Sequence, residues 1–383
     1  MLRIIFVTGS LAHGGAERHA ITVMNRLSER GHQCHAVYIK NNASQLGRIR
    51  LRDGGTIRCL GAARYFDPRA LADFAAHVSR IRPSVIVAAN PYALLYSSLA
   101  LRLARLRAPL VVTFHSMRLV SMKEQIKMLF ERLFFWLADC VVFVCERQKR
   151  FWQLRGVLAR RNEVIYNGVD TDHFRDRENP QERARLRSAL GFSDTDYVIG
   201  IPAVLRPEKN PLQLVDAAAR LRSMNVPARV LMIGDGEMRA AIEARARALG
   251  VEREVTITGL QQEVRPYVAA CDVVTLCSHT EAFSLAAIEA MSLGRPVVHS
   301  DVGGAAEMIF PGWNGFLFPA GDTGAFVDRL AILADRAVAT RMGRNARGVV
   351  EKLFSEKTMV DRYEQTLLDL CDVRASANEV VTW

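Results

Sequence analysis

"DVVTLCSHTEAFSLAAIEAMSLGRPVVHS", residues 272 to 300, reads as strand, turn, helix and strand in close succession. The apolar run "DVVTLC" lacks polar alternation, as does "RPVVHS" at the other end, so each predicts a strand covered on both faces. Between them Ser284 fits an N-cap and Leu285 to Leu293 a helix. Gly294 stands as its C′ stop, and Pro296 prevents continuation. Two carboxylates, Glu281 and Glu289, flank the helix start.

The same rhythm extends in both directions. The first half carries "RIIFVTG", "CHAVYIK", "SVIVAAN", "PLVVTFH", "CVVFVC" and "EVIYNGV"; the second adds "YVIGIPAV", "ARVLMIG" and "EVTITG". Apolar strands separated by helical stretches predict an α/β fold with parallel sheets, and two series predict two of them. At 383 residues, half of them hydrophobic, the chain exceeds the size at which one core keeps growing. The charged stretch "DTDHFRDRENPQERARLRSALGFSDTD" is the expected linker and lead-in. We expect domains at 1–175 and 176–355, then a terminal segment at 356–383. The start lacks a secretory h-region, and the longest near-apolar run, "LFFWLADCVVFVC", is too short to span a bilayer. Seven cysteines occur singly in strand-like contexts without metal spacing, which suits small buried side chains in a reducing cytoplasm.

In parallel sheets, ligands bind beyond the carboxyl ends of the strands, so the strand-to-helix turns are the places to search. The first turn holds Gly14 and Gly15 before a helix, where backbone N–H groups can approach an anion or a sugar. It is neither GxGxxG nor a P-loop, which disfavours nicotinamide and P-loop chemistry. His115 ends a strand, as a structural histidine or at a cleft mouth. Arg206 and Lys209 follow another strand in "PAVLRPEKNP", as a solvated basic turn or a diphosphate clamp. "IGDGE" is a further glycine turn. The helix begun at Ser284 presents free N–H groups near Phe283, Ser284 and Leu285, strengthened by its dipole. Glu289 lies roughly 7 to 8 Å along that helix at ~1.5 Å per residue. Carboxylates would repel a phosphate bound between them, so they are expected to accept hydrogen bonds from hydroxyls on either side of it. A nucleotide sugar has that layout; exposed, solvated glutamates are the plain alternative.

The motifs "GGAER" (14–18), "TFHS" (113–116), "YNGVDTDHF" (166–174), "LRPEKNP" (205–211), "GDGE" (234–237), "EAFSLAAIEAMSLGRPVV" (281–298), "DVGGAAEMI" (301–309) and "GWNGFLF" (312–318) occur in order. With them the chain resembles the retaining GT-B glycosyltransferases of family 4, which carry an E-x7-E signature. The resemblance implies two Rossmann-like domains facing across a cleft, with a last helix, about 356–372, returning to the first domain. It implies that Glu281 reads donor-sugar hydroxyls and Glu289 the ribose, with amides of Phe283 to Leu285 and Lys209 on the diphosphate. Gly15 would lie against the donor phosphates or the acceptor, Gly14 on the acceptor, and His115 beside the reacting sugar and the acceptor. The family often has an arginine where this chain has Val204; Arg206 is the nearest substitute. The implied reaction moves a hexose from a UDP- or GDP-sugar with retention, using neither metal nor cofactor because Lys209 and helix amides stabilise the leaving diphosphate.

Charge divides unevenly. Residues 1 to 175 carry 27 Lys/Arg against 12 Asp/Glu, a balance of +15, whereas the remainder carries 24 against 28. Such a half suits an anionic partner. In residues 117–138 the apolar positions Leu119, Met122, Ile126, Leu129, Leu133 and Leu137 recur at helical spacing, a stripe such a domain would bury. Arg118, Lys123, Lys127 and Arg132 occupy the rest. "RQKRFWQLRGVLARR" adds six basic residues with Phe151 and Trp152. Positive charge beside aromatic residues also suits contact with anionic lipid. The expectation is a cytoplasmic enzyme, peripheral on the inner membrane, that extends a lipid-linked saccharide acceptor in envelope or exopolysaccharide synthesis. A nucleotide-sugar epimerase or hydrolase shares the architecture, and product analysis separates it. Nucleic-acid binding has charge as its sole support.

Overall fold

The computed structural model describes residues 1–12, 14–117, 122–176 and 180–379, except the side chains of 122–125, 127 and 374–379. Contacts divide the chain into one unit of residues 1–166 with 359 onward and a second of residues 167–358. The expected boundary at 175 therefore falls within the second unit. The reason is local: Asn167 donates from Nδ2 to the Phe283 carbonyl at 3.1 Å, and Val169 bridges to Ser355.

In the first unit seven strands, β1 (Arg3–Thr8), β2 (Gln33–Tyr38), β3 (Thr56–Cys59), β4 (Val85–Ala88), β5 (Leu110–Phe114), β6 (Cys140–Phe143) and β7 (Arg161–Val164), form one parallel sheet. Its order is β3-β2-β1-β4-β5-β6-β7. Helices α1 (Gly15–Glu29), α2 (Pro68–Ile81), α3 (Pro91–Leu103), α4 (Met122–Glu131) and α5 (Glu146–Gln153) connect the strands. Asp67 caps α2 and Asn90 caps α3, each followed by proline at the first helical position. One core packs the sheet against α2, α3 and α5; the other packs its opposite face against α1 and Met359, Val360, Tyr363 and Leu367.

The second unit repeats the plan with β8 (Tyr197–Pro202), β9 (Ala228–Ile233), β10 (Val255–Ile257), β11 (Val273–Leu276), β12 (Val297–Ser300) and β13 (Gly315–Phe318). Its order, β10-β9-β8-β11-β12-β13, is again parallel throughout. Its helices are α6 (Pro180–Ala189), α7 (Pro211–Ser223), α8 (Arg239–Ala248), α9 (Arg265–Ala270), α10 (Leu285–Ser292), α11 (Ala305–Met308), α12 (Thr323–Ile332) and α13 (Arg336–Leu353). The last helix, α14 (Glu356–Glu379), is longer than the sequence reading, and most of it belongs to the first unit. Arg30 pairs with Asp361 and Glu364, His32 with Glu364, and Arg161 with Asp369, so α14 is held there by charge as well as by its apolar face.

Strand order reverses between β1 and β4 in one sheet and between β8 and β11 in the other. At such a switch point, helices leave in opposite directions and open a crevice at the strands' carboxyl ends.

The outer apolar face is a correction. On α4 and the 3-10 helix Arg132–Leu137, the inward residues are Met128, Glu131 and Phe135. Of the stripe expected to be buried, Ile126, Leu129 and Leu133 instead face solvent, with Phe130 and Trp136, the last 72% exposed, while Leu137 is half-buried. Arg118 and Leu119, and the side chains of Met122, Lys123 and Lys127, lie outside the described residues. Trp152 is a second correction, since it is buried and donates from Nε1 to the Ser116 carbonyl at 2.7 Å. Phe151 is covered by the Arg155 guanidinium, 3.7 Å from its centroid.

Candidate functional site

In the second unit, the loop after β8 carries Arg206 and Lys209 and the loop after β11 carries Glu281. These are the two strands at the switch point. Lys209 donates from Nζ to Glu281 Oε2, so the pair spans the crevice. Both side chains are largely covered, at 26% and 19% exposure. Arg206 is not brought to this pair; it is exposed and its nearest carboxylate is Glu208 at 3.8 Å.

Ser284 caps α10 as read, its Oγ accepting from Ala287 N at 3.3 Å. Phe283 is buried against the Phe354 ring, with centroids 5.2 Å apart, which fixes the turn before the helix. Leu285 begins α10, so the first-turn N–H groups lie beside Glu281 in sequence. Glu289 is buried among Ile288, Ala290 and Met291, which removes the reading of it as a solvated helix residue. The helix ends one residue earlier than read, at Ser292, and Gly294 takes the left-handed conformation at φ +69°.

Two glycine segments brace these loops. A Cβ on Gly303 would lie 1.9 Å from the Glu281 carbonyl oxygen, and Gly304 N donates to Ala282 O at 2.7 Å. "DVGG" thus backs directly against the glutamate turn. A Cβ on Gly236 would come 2.4 Å from Leu205 O, and Leu205 N donates to Asp235 O, so "GDGE" supports the loop bearing Lys209. His299 on β12 was missed by sequence reasoning. It is buried, donates from Nδ1 to the Ser300 carbonyl, and is held neutral by burial, with Glu281 and Lys209 near enough to act on it in opposite directions. Nothing about a lone histidine in "RPVVHS" signals that position.

In the first unit, Gly14 precedes α1 in extended backbone at φ −160°, which any residue adopts. A Cβ on Gly15 would meet nothing within 4 Å, so that glycine leaves open space where the helix starts. His115 and Ala16 line one cavity of about 400 Å³ with Lys40, Tyr65, Asn90 and Glu131. Burial lowers the His115 pKa to about 4, so its imidazole is neutral near pH 7. His19, also missed, lies edge-on to His115 at 4.7 Å and pairs through Nε2 with the Tyr363 hydroxyl at 2.9 Å. Tyr363 comes from α14, so the returning helix reaches this site.

Cys34, Cys140, Cys271 and Cys277 are buried, and burial pushes each thiol up to about 12, away from nucleophilic use. Among the described residues, no helix is long and apolar enough to cross a membrane.

Comparison with known proteins bears on this arrangement. The pattern described as "Glycosyl transferases group 1" matches residues 182–349, and that of "Glycosyltransferase Family 4" matches residues 13–173. The chain is 30% identical over 209 residues to N-acetyl-alpha-D-glucosaminyl L-malate synthase of Bacillus anthracis, covering 54% of each. It is 28% identical over 210 residues to the UDP-Gal:alpha-D-GlcNAc-diphosphoundecaprenol alpha-1,3-galactosyltransferase of Escherichia coli, again 54% of each. The chain thus spans about half the length of the curated relatives it matches. Among solved structures, Anabaena Alr3699/HepE in complex with UDP superposes with a TM-score of 0.83 at 23% identity, covering 96% of this chain and 100% of that one. The same protein with UDP-glucose gives 0.82. That likeness is one of fold. The two patterns take in every strand but β1, and the chain belongs to the GT-B glycosyltransferases, with a family 4 half followed by a group 1 half.

Proposed function

We propose that this chain transfers a hexosyl group, with retention, from a UDP- or GDP-sugar to a saccharide acceptor, lipid-linked, in envelope or exopolysaccharide synthesis. The observation that carries the reading is the second unit's crevice. Lys209 and Glu281 pair across it, the amino end of α10 opens beside them, and Glu289 is buried on that helix. In this assignment the amides of Phe283, Ser284 and Leu285 and the Lys209 ammonium hold the diphosphate. Glu281 accepts from the donor's sugar hydroxyls, and Glu289 from the ribose.

Charge develops on the leaving diphosphate, and a lysine with helix N–H groups supplies fixed donors there without a divalent ion. Residues 167–358 are thus the donor half, and residues 1–166, with Gly14, Gly15 and His115, the acceptor half. A relative's name supports a nucleotide donor, since the Anabaena protein was solved with UDP-glucose. A diphosphoundecaprenol-linked acceptor appears in the name of the Escherichia coli relative.

We further propose peripheral attachment to anionic membrane, a reading supported by the +15 half and its exposed apolar face, Phe130, Leu133 and Trp136. Flotation with anionic and neutral liposomes tests it. Equal binding to both, unchanged by Trp136→Ser or by alanine at Arg147, Lys149 and Arg150, removes this part.

The transferase reading is tested by incubating the protein with UDP- and GDP-sugars and resolving products by NMR. A glycoside with the donor's anomeric configuration, formed in EDTA and lost in Glu281→Ala, is expected. Full activity in Glu281→Ala overturns the site assignment. A free or isomerised sugar without glycoside overturns the transfer.

A further inference from the structure

His115 sits where β5 has just ended. The ladder between β5 and β6 closes at Phe114 against Phe143, so backbone groups beyond that point need other partners. Gln148 supplies them. Its Oε1 accepts from Val144 N at 2.8 Å and its Nε2 donates to the Phe114 carbonyl at 2.9 Å, so one carboxamide adds a rung between the strand ends. The same Nε2 then reaches past His115. It donates to the Ser116 carbonyl at 2.9 Å, where Trp152 Nε1 adds the 2.7 Å bond. The backbone on both sides of His115 is therefore fixed from α5.

Gln148 is the third residue of α5 and has no exposed surface. A residue in a helix's first turn commonly reaches back with a side-chain oxygen, and a glutamate would do that as well. It would bring no N–H to two buried carbonyls. The carboxamide nitrogen, with its two donors on either side of His115, is what this position requires beyond capping.

The His115 ring is met from another side. Its Nε2 is enclosed with no hydrogen-bond partner among the described residues, and the His19 ring packs on the imidazole at 4.7 Å and 64°. His19 is tethered in turn. Its Nε2 lies 2.9 Å from the Tyr363 hydroxyl, which is buried and has no other hydrogen-bond partner among the described residues, so the hydroxyl donates its one proton to His19. The space beside this pair, bordered by Phe6, Val7, Val23 and Val87, is about 10 Å³, too little for either ring to swing aside. An apolar pair would fill such surroundings equally well. A hydroxyl bonded to an imidazole holds an angle as well as a volume.

We propose that Gln148 and the His19–Tyr363 pair are positioning residues for His115, the first holding its backbone and the second its imidazole. The role rests on the transferase reading, which sets His115 beside the reacting sugar, and deepens it by naming what aims that ring.

Imidazole ¹H–¹⁵N spectra of the full chain with labelled histidine test the aim directly, the His115 signals being assigned by their loss in His115→Gln. Gln148→Met keeps the side chain's length and removes both donors; Tyr363→Phe keeps the ring and removes the hydroxyl. Each is expected to shift or split the His115 ring signals. In transfer assays run below each variant's melting midpoint, kcat should fall about tenfold or more in Gln148→Met and about three- to tenfold in Tyr363→Phe, the scale of lost hydrogen bonds, while the Kd for UDP stays within about twofold. Should Gln148→Met fail to fold, Tyr363→Phe and His19→Phe, which both keep a ring in place, decide the matter. Unchanged His115 signals or unchanged kcat in both variants overturns the proposal, and in one variant strikes that residue from it. A UDP affinity that falls in step with kcat also overturns it, because the substitutions would then be loosening the whole chain. If the wild type forms no glycoside from any UDP- or GDP-sugar, the transferase reading fails instead, and the ring signals alone decide whether these residues aim His115.

Discussion

Gly303→Ala separates bracing of the glutamate turn from ordinary backbone strain. Gly303 adopts φ +53°, where an alanine costs about 1 to 2 kcal/mol. Its new Cβ would also stand 1.9 Å from the Glu281 carbonyl oxygen and 2.7 Å from that of Ala282. To restore contact the turn must retreat by roughly 1 Å, and a displacement of that size in a positioning group costs on the order of 100-fold in rate. Overpacking adds about 1 to 3 kcal/mol of instability. Gly321→Ala is the matched control, since Gly321 has φ +85° and open space where a Cβ would go. It should show the strain alone. Thermal denaturation, UDP titration and transfer rate are measured on both variants. We expect Gly303→Ala to lose at least tenfold in UDP affinity and about 100-fold in kcat/KM, and Gly321→Ala to lose neither. Equal destabilisation with unchanged nucleotide binding in both would refute the reasoning, because the loop at Gly303 would then be free to yield without moving Glu281.

Lys209→Met should weaken UDP binding by roughly 10- to 100-fold and lower stability by about 1 to 3 kcal/mol, because it takes the cation from a largely covered Glu281 carboxylate; calorimetric titration checks the first and denaturation the second. Asn167→Ala removes the bond to the Phe283 carbonyl and should cost about 1 kcal/mol, with a raised donor KM in steady-state assays. Stability should also fall as pH falls through five histidines, His19, His35, His77, His115 and His299, whose folded pKa values lie below the unfolded value. The unfolded chain binds more protons below about pH 6.5, so their contribution is complete above that pH. It is lost toward pH 4, where His77 and His115 titrate, at up to ~1.4 kcal/mol per pH unit per group. A midpoint temperature flat from pH 7 to pH 5 would contradict this.

Much of the second unit was legible because its signals are local. Ser284 as cap, Gly294 as stop and the two flanking strands are short-range features, and each follows from backbone rules. Burial of Glu289 was not: it depends on α10 packing against β11, β12 and α13, which no spacing reveals. The Lys209 to Glu281 pairing needed the β8 to β11 adjacency, a crossover that strand sequence alone leaves open. His19 and His299 were missed for the same reason, since their partners, Tyr363 and the Lys209 to Glu281 pair, are remote in sequence.

The helix at residues 122–137 shows a limit of a different kind. Periodicity tells that a helix has two faces, and the more apolar face is normally the inner one. Here Ile126, Leu129, Leu133 and Trp136 face outward, while the inward face includes Glu131. That inversion is stable only if the inner face gains something an apolar face would lack: Glu131 accepts from Tyr65 and lines a polar cavity, and Phe135 fills the core against Phe114. The outer face then carries the hydrophobic cost of exposure, about 25 cal/mol for each Å² left in water. A surface this apolar on the strongly basic half is what the proposed attachment to anionic membrane would cover. The lipid hypothesis thus draws on the inversion itself.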